Sequence, residues 1–113
     1  MSGKLYLITR ADLRHGTQAA QLVHGMAKFA SDYPQTFEDW ERGSNVVVCL
    51  AVSNEEELRS LHARAEAISE STETGLAVSA FREPDLNDQL TCVVLDPIEQ
   101  YEQLCRDMRL ACR

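Results

Sequence analysis

The sequence has no C-x-x-C pair and no Cys-His spacing of the kind that holds zinc: its four cysteines stand far apart at 49, 92, 105 and 112. That removes the sequence support for a metal or dithiol redox site, and free thiols in a reducing cytosol are the expectation. Glycine and proline are scarce, with five and three copies. A fibrous or low-complexity chain is thereby excluded, and no glycine-rich phosphate loop is present. No apolar run approaches the ~18 residues of a membrane span, and no signal-peptide succession opens the chain. The expected setting is cytoplasmic, with no membrane partner. Basic charge is also short, since 11 Lys and Arg stand against 18 Asp and Glu for a net charge of −7. A surface that grips nucleic-acid phosphate all over is excluded by that balance.

What is present is an ordinary globular composition, 44% hydrophobic and 26% charged. At 113 residues the chain can bury about 65% of its unfolded surface, enough for one domain over 1–113 without disulfide staples. The charge is uneven along it. Residues 1–30 hold Lys4, Arg10, Arg14 and Lys28 against Asp12 alone, and every other acidic side chain lies further on. A polyanion would therefore meet the amino-terminal part first.

Apolar periodicity divides the chain into strands and helices. "KLYLITR" (4–10) and the unbroken run "NVVVCLAV" (45–52) predict strands, the second covered on both faces. "LAVSAFR" (76–82) and "LTCVVLD" (90–96) predict a hairpin around "EPDLNDQ". Helices are expected between them: over 17–30, over "PQTFEDWERG" with Phe37 and Trp40 as anchors, and from a Ser53/Glu56 capping box to about Gly75. Asp96, Pro97 and Glu99 then open a last helix, with Ile98, Tyr101, Cys105, Met108 and Cys112 on one stripe. The expected architecture is an α/β single-domain three-layer sandwich, a mixed four-stranded sheet with helices on both faces. Its hairpin edge offers a surface on which two copies could pair as a homodimer.

The segment "HGTQAAQLVHG" (15–25) carries the chemistry. On a helical wheel Ala19, Leu22, Val23, Met26, Phe29 and Ala30 gather opposite a polar seam of Thr17, Gln21, His24 and Lys28. A solvated face is usually rich in Glu, Lys and Arg; a seam with a hydroxyl, an amide and an imidazole suits hydrogen bonding and proton transfer. The helix also follows a strand through "ADLRHG", the place where α/β proteins commonly bind ligands.

With its flanks, "LYLITRADLRHGTQAAQLVHG" resembles the start of the archaeal and eukaryotic type of peptidyl-tRNA hydrolase, in which a strand and an R-x-D-L turn lead into a Gly-Lys-x-Ala-Ala-Gln-x-x-His helix. Over residues 4–97 the order of later elements is similar too. The resemblance implies the family's mixed four-stranded sheet sandwiched by helices. It implies hydrolysis of the ester joining a peptide to the 3′ end of tRNA, with tRNA or peptidyl-tRNA as partner. Gly16, Ala19, Ala20, Gln21 and His24 match the motif. Thr17 stands where the family has lysine, and the family's acidic loop is shortened here to "REPDLNDQLT". Glu83 lies near the position of its Asp, and Thr91 at its closing Thr.

A mechanism consistent with these positions has His24 activating or relaying protons to water while Glu83 or Asp85 orients it. Gln21, or the backbone N–H groups near Gly16 and Thr17, would face the oxyanion, and Thr91 would hold the substrate. Arg10, Arg14 and Arg82 are the candidate phosphate contacts; Lys28 joins the substrate-binding candidates without replacing the missing lysine. No metal or organic cofactor is implied. Glu83-Pro84-Asp85 also reads as a simple turn, Thr91 as an ordinary strand residue, and His15 and His62 as structural. Two further classes stay open: a noncatalytic RNA- or protein-binding module, and a hydrolase of another acyl ester or amide.

Overall fold

The computed structural model describes residues 3–113. Strand β1 (Leu5–Arg10) leads into helix α1 (His15–Asp32) and helix α2 (Pro34–Arg42). Strand β2 (Val47–Val52) and helix α3 (Glu55–Glu70) follow, then the hairpin of β3 (Val78–Glu83) and β4 (Gln89–Leu95) around a 3-10 turn at Pro84–Leu86. Helix α4 (Glu99–Leu104) and the two-residue strand β5 (Arg109–Leu110) end the succession. The sheet order is β3-β4-β1-β2-β5, with β1 and β2 parallel and the other pairs antiparallel.

Alternation along the central strands makes two cores. Leu5, Leu7, Cys92 and Val94 meet Leu22, Phe29 and Trp40 on one face. Tyr6, Ile8, Val93 and Leu95 meet Leu58, Leu61, Ala65 and Tyr101 on the other. Each large apolar side chain so buried stabilises the fold by roughly 1.5–3 kcal/mol before entropy is counted. Helices therefore cover both faces, as expected, but the sheet has five strands and not four.

The fifth strand comes from the segment expected to continue the last helix. Tyr101 and Cys105 are buried as that stripe requires, with the Tyr101 hydroxyl donating to the Ala65 carbonyl at 2.7 Å. The helix nevertheless stops at Leu104, and Leu110 and Arg109 pair with Leu50 and Ala51 of β2. Without them β2 would be an open edge with unpaired backbone groups, so ladder bonds outweigh two more helical turns. Asp96 does not cap the helix: Ile98 is its N-cap, and the Asp96 carboxylate accepts from the Ala77 N–H at 2.8 Å. In α3 the reciprocal cap lies one residue beyond the expected one. Asn54 Oδ1 accepts from the Glu57 N–H, and Glu57 Oε1 accepts from the Ser53 N–H. That helix ends at Glu70, and Gly75, at φ +74°, belongs to the loop entering β3.

β2 is not covered on both faces at its start. Val47 is 44% exposed because α1 packs chiefly over β1, β4 and β3. At Gly25 α1 comes close to the sheet: a Cβ there would collide with Cys92 Sγ and lie 3.0 Å from Cys92 Cβ. All four cysteines are free. Among the described residues no helix is long and apolar enough to cross a membrane.

Candidate functional site

β1 and β2 run parallel, and β3 ends and β4 begins at their carboxyl end. α1 crosses above that junction, so residues from three distant segments converge. The face it turns inward matches the wheel only in part: Leu22 and Phe29 are buried as expected, but the face is rotated toward Gln18 and Gln21. Gln18, Gln21, Leu22, Gly25 and Phe29 are buried, whereas Val23, expected in the core, is 67% exposed. Gln21, expected on an open seam beside His24, is only 3% exposed. Hydrophobicity alone cannot rank an amide as buried; partners on the sheet do so here, because they satisfy both ends of it.

Those partners form a chain of hydrogen bonds. The Thr91 hydroxyl donates to Gln21 Oε1 at 2.5 Å, and Gln21 Nε2 donates to Glu83 Oε1 at 2.9 Å. Glu83 Oε2 accepts from the Asp85 N–H at 3.2 Å. His24 Nε2 stands 3.9 Å from Glu83 Oε1, a charge-pair distance wider than a hydrogen bond, and its side chain is 50% exposed. The imidazole stacks on Phe81, with centroids 5.0 Å apart and planes at 21°. Hydrogen bonding from Gln21 first, then from the Asp85 N–H, and the charge of His24 outweigh desolvation and hold the Glu83 carboxyl below its ordinary range. Ionised Glu83 can therefore steady a cation forming on His24.

Thr91 has no exposed surface. Its hydroxyl is turned to Gln21 and its carbonyl accepts from Thr9 at 2.8 Å, so it cannot touch a substrate in this arrangement. Asp85 is exposed and serves Glu83 through its backbone. Gly16 is exposed with nothing within 4 Å of a built Cβ, and Thr17 is half-buried. Both lie two turns before His24: the rise from Gly16 is about 12 Å. Their N–H groups and His24 cannot serve one carbonyl carbon.

The basic candidates separate in the same way. Arg10 is buried, paired with Asp12 at 2.9 Å and donating to Gln89 Oε1 and the Leu90 carbonyl. Its guanidinium joins β1 to β4 and is not offered to phosphate. Arg14 is exposed at the N-cap of α1. Arg82 is exposed and donates to the Asp88 carbonyl. Lys28 pairs with Asp32 at 3.1 Å, one turn beyond His24. His62 faces Glu66 within its own helix at 3.7 Å.

Phe81 of the site and Gln18, which lies beside the site on α1 but outside its hydrogen-bond chain, were not singled out by sequence. Phe81 sets the plane of the imidazole, and its only signal was position, two before the acid. Gln18 is as buried as Gln21; the signal was its spacing with Gln21, Leu22, Gly25 and Phe29, a stripe with two amides and a glycine. Among the described residues no group of three or more His, Cys, Asp or Glu could hold a metal ion.

A family model described as Peptidyl-tRNA hydrolase PTH2 matches residues 3–110. The match extends beyond Pro97 to include α4 and β5. No curated protein matches the chain.

Proposed function

The chain belongs to the peptidyl-tRNA hydrolase PTH2 family, and from that premise we propose that it hydrolyses the ester joining a peptide to the 3′ end of tRNA, with His24 and Glu83 handling the water. The observation that carries this reading is the run of contacts from buried Thr91 through Gln21 to Glu83, ending at half-exposed His24. A chain of this kind has one wet end, and that end holds an imidazole beside a carboxylate.

In the proposed reaction His24 takes a proton from a water molecule as the water oxygen attacks the ester carbonyl. Glu83, already ionised, stabilises the imidazolium. When the tetrahedral intermediate collapses, the C–O bond to the ribose breaks and His24 returns the proton to the leaving ribose oxygen. Gln21 and Thr91 are positioning residues that fix Glu83, and Phe81 orients the ring. Arg14, Arg82 and the backbone of Gly16 and Thr17 are the candidate contacts for tRNA phosphates, away from the reacting carbon. Arg10 is left out, since its donors are used within the sheet.

The test is release of peptide from a defined peptidyl-tRNA by the wild type, His24→Ala and Glu83→Gln. Loss of about 100-fold or more in both variants is expected. Full activity in either would remove it from the chemistry. The net charge of −7 and Thr17 in place of lysine favour a second reading, a noncatalytic surface that binds RNA or protein. Absence of turnover with salt-sensitive tRNA binding would support it.

A further inference from the structure

Gln18 takes no part in the Thr91–Gln21–Glu83 chain, yet it is buried to 2% exposure with both ends of its amide engaged. Nε2 donates to the Leu13 carbonyl at 2.8 Å. Oε1 accepts from the Cys112 N–H at 2.9 Å, across a sequence separation of 94. Leu13 lies in the turn between β1 and α1, and Cys112 follows β5. One buried amide thus bridges the entry to the site helix and the strand that closes the far side of the sheet.

The surrounding contacts hold this bridge in place. The Ala111 N–H donates to the Cys49 carbonyl at 2.9 Å, extending the β5 ladder toward Cys112. Cys112 Sγ lies 3.8 Å from the His15 carbonyl. Cys112 itself sits at φ +63°, a conformation that favours glycine and costs a cysteine energy. That cost is met while its N–H reaches Gln18. The usual fastenings of a helix start are missing in α1, whose N-cap Arg14 makes no side-chain cap bond and whose first turn has no acidic residue.

We propose that Gln18 is a positioning residue: it fastens the chain after β5 to the turn that opens α1, and so fixes how residues 13–17 meet the tRNA part of a substrate. The substrate half of this statement rests on the hydrolase reading, whereas the fastening can be measured without turnover. A glutamine here also assigns β5 a role beyond covering the edge of β2.

Three variants test it. Gln18→Met removes both polar ends at similar size. Cys112→Pro removes the donating N–H and cannot adopt positive φ, while Cys112→Gly keeps the N–H and suits that φ. Gln18→Met and Cys112→Pro are expected to speed exchange of the Leu13 and Gln18 N–H groups, which donate to the Arg10 and Arg14 carbonyls, by about tenfold, the equivalent of one hydrogen bond. The same two variants should raise KM for peptidyl-tRNA several-fold with kcat retained, and Cys112→Gly should match the wild type in both. Unchanged exchange in Gln18→Met and Cys112→Pro would overturn the fastening, and raised exchange with unchanged KM would overturn its role in binding. If the wild type releases no peptide, the hydrolase reading fails and exchange alone decides whether Gln18 joins the two segments.

Discussion

The carboxylate of Glu83 is held by two donors, the Gln21 amide and the Asp85 N–H, and Thr91 steadies the first of them by donating to Gln21 Oε1. Thr91→Val keeps the shape of the side chain and removes the hydroxyl, leaving Gln21 Oε1 buried without its donor. A stability loss of about 1–3 kcal/mol is expected in urea unfolding. Turnover should fall mainly in kcat, because Glu83 loses its fixed position, and Thr91→Ser should recover most of both. His24→Ala separates chemistry from folding: its ring is half-exposed, so stability should change by no more than about 1 kcal/mol while peptide release is lost. The polar seam of the helix pointed to His24, and the family resemblance pointed to Glu83, with Asp85 as its alternative. They could not show that Gln21 and Thr91 face each other, since that contact joins positions 70 apart in sequence.

At the scale of elements, α1 is the piece on which the site depends, and its height above the sheet is set by Gly25. Gly25→Ala would add helix propensity worth about 1 kcal/mol. The new methyl group would meet Cys92 Sγ and Cβ on the rigid floor of β4, and overpacking of this kind costs roughly 1–3 kcal/mol. A net loss is therefore expected in denaturant midpoint, with lower turnover as α1 lifts from Glu83. Cys92→Ala introduced beside it removes the sulfur and should return part of the loss, a coupling that a double-mutant cycle measures. Boundary signals placed α2 and the start of α3 closely because turn and cap residues act on their neighbours, whereas α3 ends at Glu70, short of Gly75. α4 was read too long because its apolar spacing persists through Met108 and Cys112, and periodicity carries no information about an unpaired strand elsewhere.

At the scale of the whole molecule, four carboxyls among the described residues are held below their ordinary range. The first cause is a hydrogen bond in each case: from the Leu90 N–H to Glu55, from Arg10 to Asp12, from Ser79 to Asp32 and from Gln21 to Glu83. The unfolded chain binds protons at these groups at higher pH than the folded one. Their stabilisation is complete above the ordinary carboxylate range of about 4 and is lost as pH falls through the lowered folded values. Asp96, raised by burial, acts in the opposite sense and offsets part of the loss. The melting temperature should fall between about pH 5 and pH 3, and Glu55→Gln should flatten that fall; an unchanged slope in Glu55→Gln would take Glu55 out of the account. What the sequence determined by itself is the succession of elements as far as the start of α4, the two-faced sheet and the motif that carries the family resemblance, because periodicity, turn chemistry and caps are short-range properties of the chain. The tertiary structure alone decided that the inward face of α1 is rotated toward Gln18 and Gln21, that both are buried, and that residues 109–110 leave the helix for β2. In each case the deciding term is a hydrogen bond to a distant segment, and the free energy of burying a polar group depends on whether that partner is there.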